Sequence, residues 1–334
     1  MMTLLLVCCL QDAKALDAAL DEMAAAKDAA SYTTARAKVL AMGDAVVPML
    51  KDRTTDWSET GWVRSCAAES CRLRLTNAAL AAEIDAPSGL DPATYKTFRK
   101  PMPLCLRDFV HRGKECVPLL IERWRWTMSD FRFSAGDDGK EERSVFDRAI
   151  VDTAGQVNDS RATWFLAGVI GDANLSAELR GAAAVSFGMV GGAMGTLTAI
   201  IDDNRTPLLL REGCSLGLGR YADATALDAI KTRLAARGQD PAVIRALLTA
   251  LGNLGSSWAW ESRGASMKTL ADQVRQGCAD VLVGAMKERP EETEIITRAL
   301  QMVAWPQSVD ALKALGTEAA TKAAAKVETT IKRK

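Results

Sequence analysis

Gly213-Cys214-Ser215-Leu216-Gly217 has the spacing of a G-x-S-x-G nucleophile elbow. In such an elbow a strained strand-to-helix turn exposes a serine, which a histidine later in the chain activates. His111 is the only histidine and it precedes Ser215, so that order of residues is absent. The overlapping Gly217-Leu218-Gly219-Arg220-Tyr221-Ala222 matches a loose G-x-G-x-x-A pattern, which needs a preceding strand and a βαβ unit to hold a dinucleotide. Neither surrounds it, and no G-x-x-x-x-G-K-[ST] loop occurs. Cys105, His111 and Cys116 lack the paired C-x-x-C spacing and a fourth ligand, so a zinc site is not predicted. No catalytic residue, cofactor or metal is assigned from these motifs.

The densest aromatic and basic cluster is Glu122-Arg123-Trp124-Arg125-Trp126, followed by Phe131-Arg132-Phe133. Arginine and tryptophan are the residue types that anchor binding surfaces, and guanidinium groups stack on indole rings. Residues two apart on a helix point to nearly opposite sides, so Trp124 and Trp126 cannot share one surface. One is expected in the core and the other half-exposed. Ser256-Ser257-Trp258-Ala259-Trp260-Glu261 repeats the alternation in what reads as a loop. The expected partner-binding residues are Arg123, Trp124, Trp126, Trp258 and Trp260.

Internal repeats determine which elements carry these residues. LRGAAAVSFGMVGG from Leu179, LREGCSLGLGRYAD from Leu210 and IRALLTALGNLGSS from Ile244 each run from an aliphatic-Arg pair to a glycine. The arginines Arg180, Arg211 and Arg245 are 31 and 34 residues apart; Gly188, Gly219 and Gly252 are 31 and 33 apart. A repeat in the low thirties fits two short helices and their turns. Thr206-Pro207, Asp240-Pro241 and Asp91-Pro92 each set a capping residue before a proline at the first helical position. Second helices are predicted over 194–201, 224–236 and 267–286. Within this frame the apparent elbow and the dinucleotide pattern are packed first-helix residues.

On these residues the chain resembles the HEAT-repeat family, including its short bacterial repeats. The family pattern, roughly Val-Arg-x-x-Ala-Ala-x-Ala-Leu-Gly, is similar to Trp62–Cys71 in its first half and to Leu210–Gly219 in most of its length. Ile200-Ile201-Asp202-Asp203 resembles its end, and Ala41–Leu50 the start of another second helix. The resemblance is closest over 160–256 and patchy over 31–75 and 265–316. It implies an all-α solenoid of stacked antiparallel helix pairs, a right-handed superhelix whose second helices line a concave face. The repeat array is expected over 16–316, with irregular loops at 76–103 and 128–142 and a C-terminal capping helix over 317–334.

Composition agrees with helices: only 5% of residues are aromatic, and alanine, the best helix former, fills much of the apolar share. Lys plus Arg and Asp plus Glu are 42 each, so no basic excess supports a nucleic-acid partner. Thr3–Leu10 is too short to span a bilayer as a helix, and no longer apolar stretch follows. With Ala13-Lys14-Ala15 after it, residues 1–15 read as a signal segment, which favours a periplasmic or secreted location. No Lys or Arg precedes the apolar run, and its alternative role is a first helix of the array. The eight cysteines do not cluster as a disulfide framework.

The resulting expectation is a non-catalytic scaffold that binds a protein partner of unknown identity. The resemblance also brings two enzymatic alternatives, a DNA glycosylase-like and a bilin lyase-like protein. The first needs a basic groove, against which the balanced charge argues. A purely structural extracytoplasmic repeat protein is the third reading.

Overall fold

The computed structural model describes residues 2–85, 110, 112–126, 137–261 and 268–333, with the side chains of 2–10, 126, 137–145, 258, 261 and 268–269 also outside the description. Asp91-Pro92, Cys105, His111 and Phe131–Phe133 lie outside the described residues, as do the side chains of Trp126 and Trp258. Among the described residues every regular element is helical and no strand occurs, so the chain is all-α. It divides into two compact units, Met1–Gly168 and Val169–Lys334.

The first unit runs through α1 (Met2–Ala25), α2 (Ala29–Ala41), α3 (Val47–Asp52), α4 (Trp62–Thr76), α5 (Ala78–Asp85), α6 (Cys116–Trp126) and α7 (Asp137–Val157). Helix α8 (Thr163–Gly171) follows. Leu16, Ala19, Leu20 and Met23 recur at helical spacing along α1 and bury against Tyr32, Ala35 and Val39 of α2. Asp28 caps α2 by accepting from Ser31 N at 2.7 Å. Leu50 and Cys71 close the same cluster from α3 and α4. On the rim, Asp17 accepts from Arg53 at 3.0 Å and Arg64 at 2.6 Å, tying α1 to α3 and α4.

Two segments expected as loops are partly helical. Residues 78–85 form α5, where Asn77 Oδ1 accepts from Leu80 N at 3.3 Å and alanine propensity outweighs the proline-rich sequence beyond. Residues 137–142 open α7. The predicted loop around Trp258 contains a short helix, α14 (Ser257–Glu261).

The second unit contains α9 (Ala177–Met189), α10 (Met194–Asp202), α11 (Leu208–Leu218), α12 (Ala224–Ala235), α13 (Pro241–Leu254) and α14. It ends with α15 (Lys268–Glu288), α16 (Thr293–Val303), α17 (Gln307–Ala314) and α18 (Glu318–Arg333). Helix α9 packs on α11, α11 on α13 and α13 on α16, while α10, α12 and α15 link them. The predicted second helices match α10, α12 and α15 to within two residues. The C-terminal segment forms the helix α18, which packs on α16 and α17.

Glycine sets the spacing of the successive first helices. A β-carbon at Gly213 would overlap the backbone of Gly181, and one at Gly188 would overlap the Gly217 carbonyl. At Gly217 it would lie 2.5 Å from the Ala184 oxygen, at Gly219 2.5 Å from the Ala250 oxygen, and at Gly252 2.8 Å from Ala299 Cα. Real β-carbons do not approach backbone so closely, so these positions admit only hydrogen as a side chain.

The repeated arginines act alike twice. Arg180 Nε donates to the Ile170 carbonyl at 2.8 Å, and Arg211 Nε to the Ile201 carbonyl at 3.0 Å. Each therefore satisfies a terminal carbonyl of the preceding helix. Arg245 departs from the pattern and pairs with Glu292 at 3.4 Å. Asp240 caps α13 through Ala242 N at 2.8 Å, with Pro241 in the first turn, as expected. Thr206-Pro207 does not follow that rule: Pro207 itself occupies the cap position of α11, and Thr206 supplies no cap.

Gly213→Ala is expected to destabilise the chain by about 1–3 kcal/mol through overpacking. Gly284→Ala, in exposed mid-helix with nothing within 4 Å of the added carbon, should instead stabilise it by about 0.5–1 kcal/mol. Urea midpoints of the two variants check the contrast.

The Arg53 and Arg64 guanidinium groups hold Asp17 down at about 2, although partial burial opposes them. A depressed carboxylate pKa stabilises the fold above its ordinary range near 4, and that contribution fades as pH falls from about 4 towards 2. Because Asp17 is 41% exposed, the gain is at most about 1 kcal/mol. Asp17→Asn should lower the urea midpoint at neutral pH, and the gap should shrink steadily below about pH 4.

Candidate functional site

The first unit carries a face on which indoles and guanidiniums alternate. Helix α4 builds it: Trp62, Cys66 and Glu69 are four and three residues apart and therefore share one side. Arg125 from α6 lies over the Trp62 ring at 5.6 Å. Arg161 lies over the Trp57 ring at 5.4 Å. The Trp57 indole is fixed in turn by donating to the Thr54 carbonyl at 2.7 Å. Arg161 is held by Asp159 at 2.7 Å, by the Lys114 carbonyl at 2.6 Å and by Glu69 at 3.5 Å. Glu69 also accepts from Arg72 at 2.6 Å. Trp57, Trp62, Arg72, Arg125 and Arg161 are all half-buried, so each ring and guanidinium meets both protein and solvent.

Below this face lies a buried ion cluster. Glu122 accepts from Arg36 at 2.9 Å and from Arg74 at 2.9 Å, and Arg74 also donates to Asp85 at 2.5 Å and 2.9 Å. The Tyr32 hydroxyl donates to the same carboxylate, and burial followed by the Glu122 charge pushes its pKa well above the usual phenol range. The cluster joins α2, α4, α5 and α6, and every polar atom named has an opposite charge or donor beside it. Burial lowers the pKa of Arg125, which sits between this cluster and the surface rings.

The thiols of this region are kept inert. Burial, assisted by the Glu122 charge, pushes Cys66 up to about 12, and the same causes raise Cys71. Cys66 and Ser70 both donate to the Pro118 carbonyl, at 3.4 Å and 3.1 Å. Cys116 is buried and donates to the Gly113 carbonyl at 3.0 Å. Among the described residues no group of three or more His, Cys, Asp or Glu side chains converges as a metal site would require. In the second unit Ser215 is fully buried and donates to the Arg211 carbonyl at 2.8 Å within its own helix. The apparent elbow is thus helical packing.

The expected partner-binding residues take separate positions. Arg123 is buried, its guanidinium 6.0 Å from the Phe146 ring centre, so it presents nothing to solvent. Trp260 belongs to the second unit and is also buried, its indole donating to the Leu254 carbonyl at 2.8 Å. These two are interior packing residues rather than surface anchors. Trp124 is half-buried and meets Phe165 edge-on, with ring centres 5.5 Å apart. Trp57, Trp62 and Arg161 were not singled out, because they stand far from the cluster in sequence. The available signal was the pair of indoles bracketing Gly61 ahead of a helix whose polar side recurs every three to four residues.

No family model matches this chain, and no curated protein matches it. No described helix is long and apolar enough to cross a membrane.

Glu122→Ala would leave Arg36 and the inner edge of Arg74 without their shared anion. A loss of about 3–5 kcal/mol is expected, as for other broken buried pairs. Glu122→Gln, which keeps the shape and acceptor oxygen, should lose less. Denaturation in urea measures both, and a loss below about 1 kcal/mol for the alanine variant would mean the cluster does not hold these helices together.

Proposed function

We propose that the chain is a HEAT-like helical-repeat scaffold that binds a protein partner through the arginine–tryptophan face of its first unit. The carrying observation is that Trp57 and Trp62 are half-exposed rings, each with a guanidinium over its face, and that the Trp57 indole is also fixed by the Thr54 carbonyl. Binding hot spots favour rings and guanidiniums of this kind, because little side-chain freedom is lost on contact. Trp124 and Arg125 extend the anchor set along α6. The solenoid reading is supported by the recurrent packing of first helix on first helix and by the identical roles of Arg180 and Arg211. The balanced charge favours a protein over a nucleic acid, since no counterion-release term is available from a net basic surface.

Chemical cross-linking in the source cells, followed by mass spectrometry, identifies the partner and the residues it meets. Trp62→Ala combined with Arg125→Ala is then expected to weaken binding of that partner at least about tenfold. Binding unchanged in the double variant, with a folded chain verified by circular dichroism, would place the interface elsewhere.

A further inference from the structure

The Arg161 guanidinium offers a visitor a plane rather than an edge. Asp159, whose carboxylate is buried, caps the turn by accepting from Arg161 N at 3.0 Å. The same carboxylate accepts from the Arg161 side chain, from Nε at 2.9 Å and from Nη2 at 2.7 Å. Nη2 also donates to the Lys114 carbonyl at 2.6 Å, and Nη1 stands 3.5 Å from Glu69. All three nitrogens therefore face an acceptor of this chain. The Trp57 ring takes one face of the guanidinium, with its centre 5.4 Å away, and the Thr54 carbonyl holds that ring in turn. The Arg161 side chain is still 23% exposed. Charge is balanced locally as well. Arg72 and Arg161 meet Glu69 and Asp159, two cations against two anions, and both carboxylates are buried.

We propose that Arg161 receives an aromatic side chain of the partner on the guanidinium face turned away from Trp57, closing a ring–guanidinium–ring stack. This rests on the binding face proposed above and names the side-chain chemistry that face accepts. A guanidinium is planar and weakly hydrated, so a flat ring covers it with little loss of hydration and is attracted by its charge. A carboxylate binds arginine through the fork of N–H groups, and here that fork already holds Asp159. A partner's carboxylate would thus meet guanidiniums already bonded and already neutralised. An aliphatic side chain would cover the same plane without the attraction between ring electrons and cation. Both plates of the stack are fixed before contact, Arg161 by Asp159 and Trp57 by Thr54, so little side-chain freedom is lost when a third plate arrives.

Capped tripeptides, acetyl-Gly-X-Gly-amide with Trp, Leu or Glu at the centre, serve as probes of the full chain. Binding is followed by NMR through the Arg161 Nε–H and Trp57 indole N–H signals, assigned with Arg161→Lys and Trp57→Phe. The Trp peptide is expected to move the Arg161 signal upfield by its ring current. It should also bind at least about threefold more tightly than the Leu peptide. Arg161→Lys keeps the charge and removes the plane, so it should abolish that preference. The comparison of peptides on the unaltered chain decides the matter even where the lysine variant is unstable. A Leu peptide that binds as tightly as the Trp peptide, or a Glu peptide that binds more tightly than either, overturns the inference. So does an Arg161 signal that the Trp peptide leaves unmoved. The binding face itself stands or falls separately, on the cross-linked partner and the Trp62→Ala, Arg125→Ala double variant.

Discussion

Gly181 and Gly213 place the backbones of α9 and α11 against each other with no side chain between them. The second unit depends on that approach. Helix axes usually stand 8–10 Å apart because side chains separate them, and a glycine seam permits the short end of that range. The same device continues at Gly188 with Gly217, Gly219 with Ala250, and Gly252 with Ala299. Each glycine inside a helix lowers intrinsic helix stability by about 1 kcal/mol relative to alanine, whereas Gly219 stands at the C-cap. Packing offsets the loss, because backbone contact brings many atoms on both helices within dispersion range. Cys214 and Ser215 belong to the same economy of space: at a seam this close only small side chains fit. The run that imitates a nucleophile elbow is therefore a consequence of helix spacing.

The first unit solves the same problem with larger parts. Its helices meet through Tyr32, Glu122, Arg36 and Arg74, and the buried carboxylate needs both guanidiniums because a lone charge in that interior would be very costly. A chain with equal numbers of acids and bases can do this internally. Arg161 with Asp159 and Glu69 is a further such pairing. Neutrality by itself would not have revealed where the pairs lie.

The second unit was the more legible in the sequence. Its glycines and its Asp240-Pro241 start serve contacts within one helix or between helices close in sequence, so local spacing reveals them. The aliphatic-Arg pair correctly marked Arg180 and Arg211, and the third copy failed because Arg245 found Glu292 instead. In the first unit the informative contacts join residues far apart, such as Arg125 with Trp62 and Arg161 with Trp57. No local pattern encodes these. Arg123 and Trp260 misled because arginine and tryptophan are amphipathic: their ring or stem buries readily once the polar end finds a partner, as the Trp260 indole does at Leu254. Residues 78–85 were misread because downstream prolines suggested a loop, while local helix propensity decided the outcome, and the polar, glycine-bearing 137–142 opens a helix all the same.

Arginine is used differently in the two units. In the second, Arg180 and Arg211 each point Nε at a helix-end carbonyl, and Arg211 also donates to Gln239. The glycine seams there also keep large side chains few, and the exposed ones include Leu208 and Leu209 at the start of α11, 40% and 55% exposed. Leucine offers area without direction and loses rotamer freedom on contact, so it is a poor anchor by itself. In the first unit Arg125 and Arg161 lie over indoles, that of Trp57 itself fixed by the Thr54 carbonyl, and both partners of each pair remain in reach of solvent. On the proposed reading a visiting chain would meet rings already held by guanidiniums, which distinguishes Trp57 and Trp62 from the exposed Leu208 and Leu209.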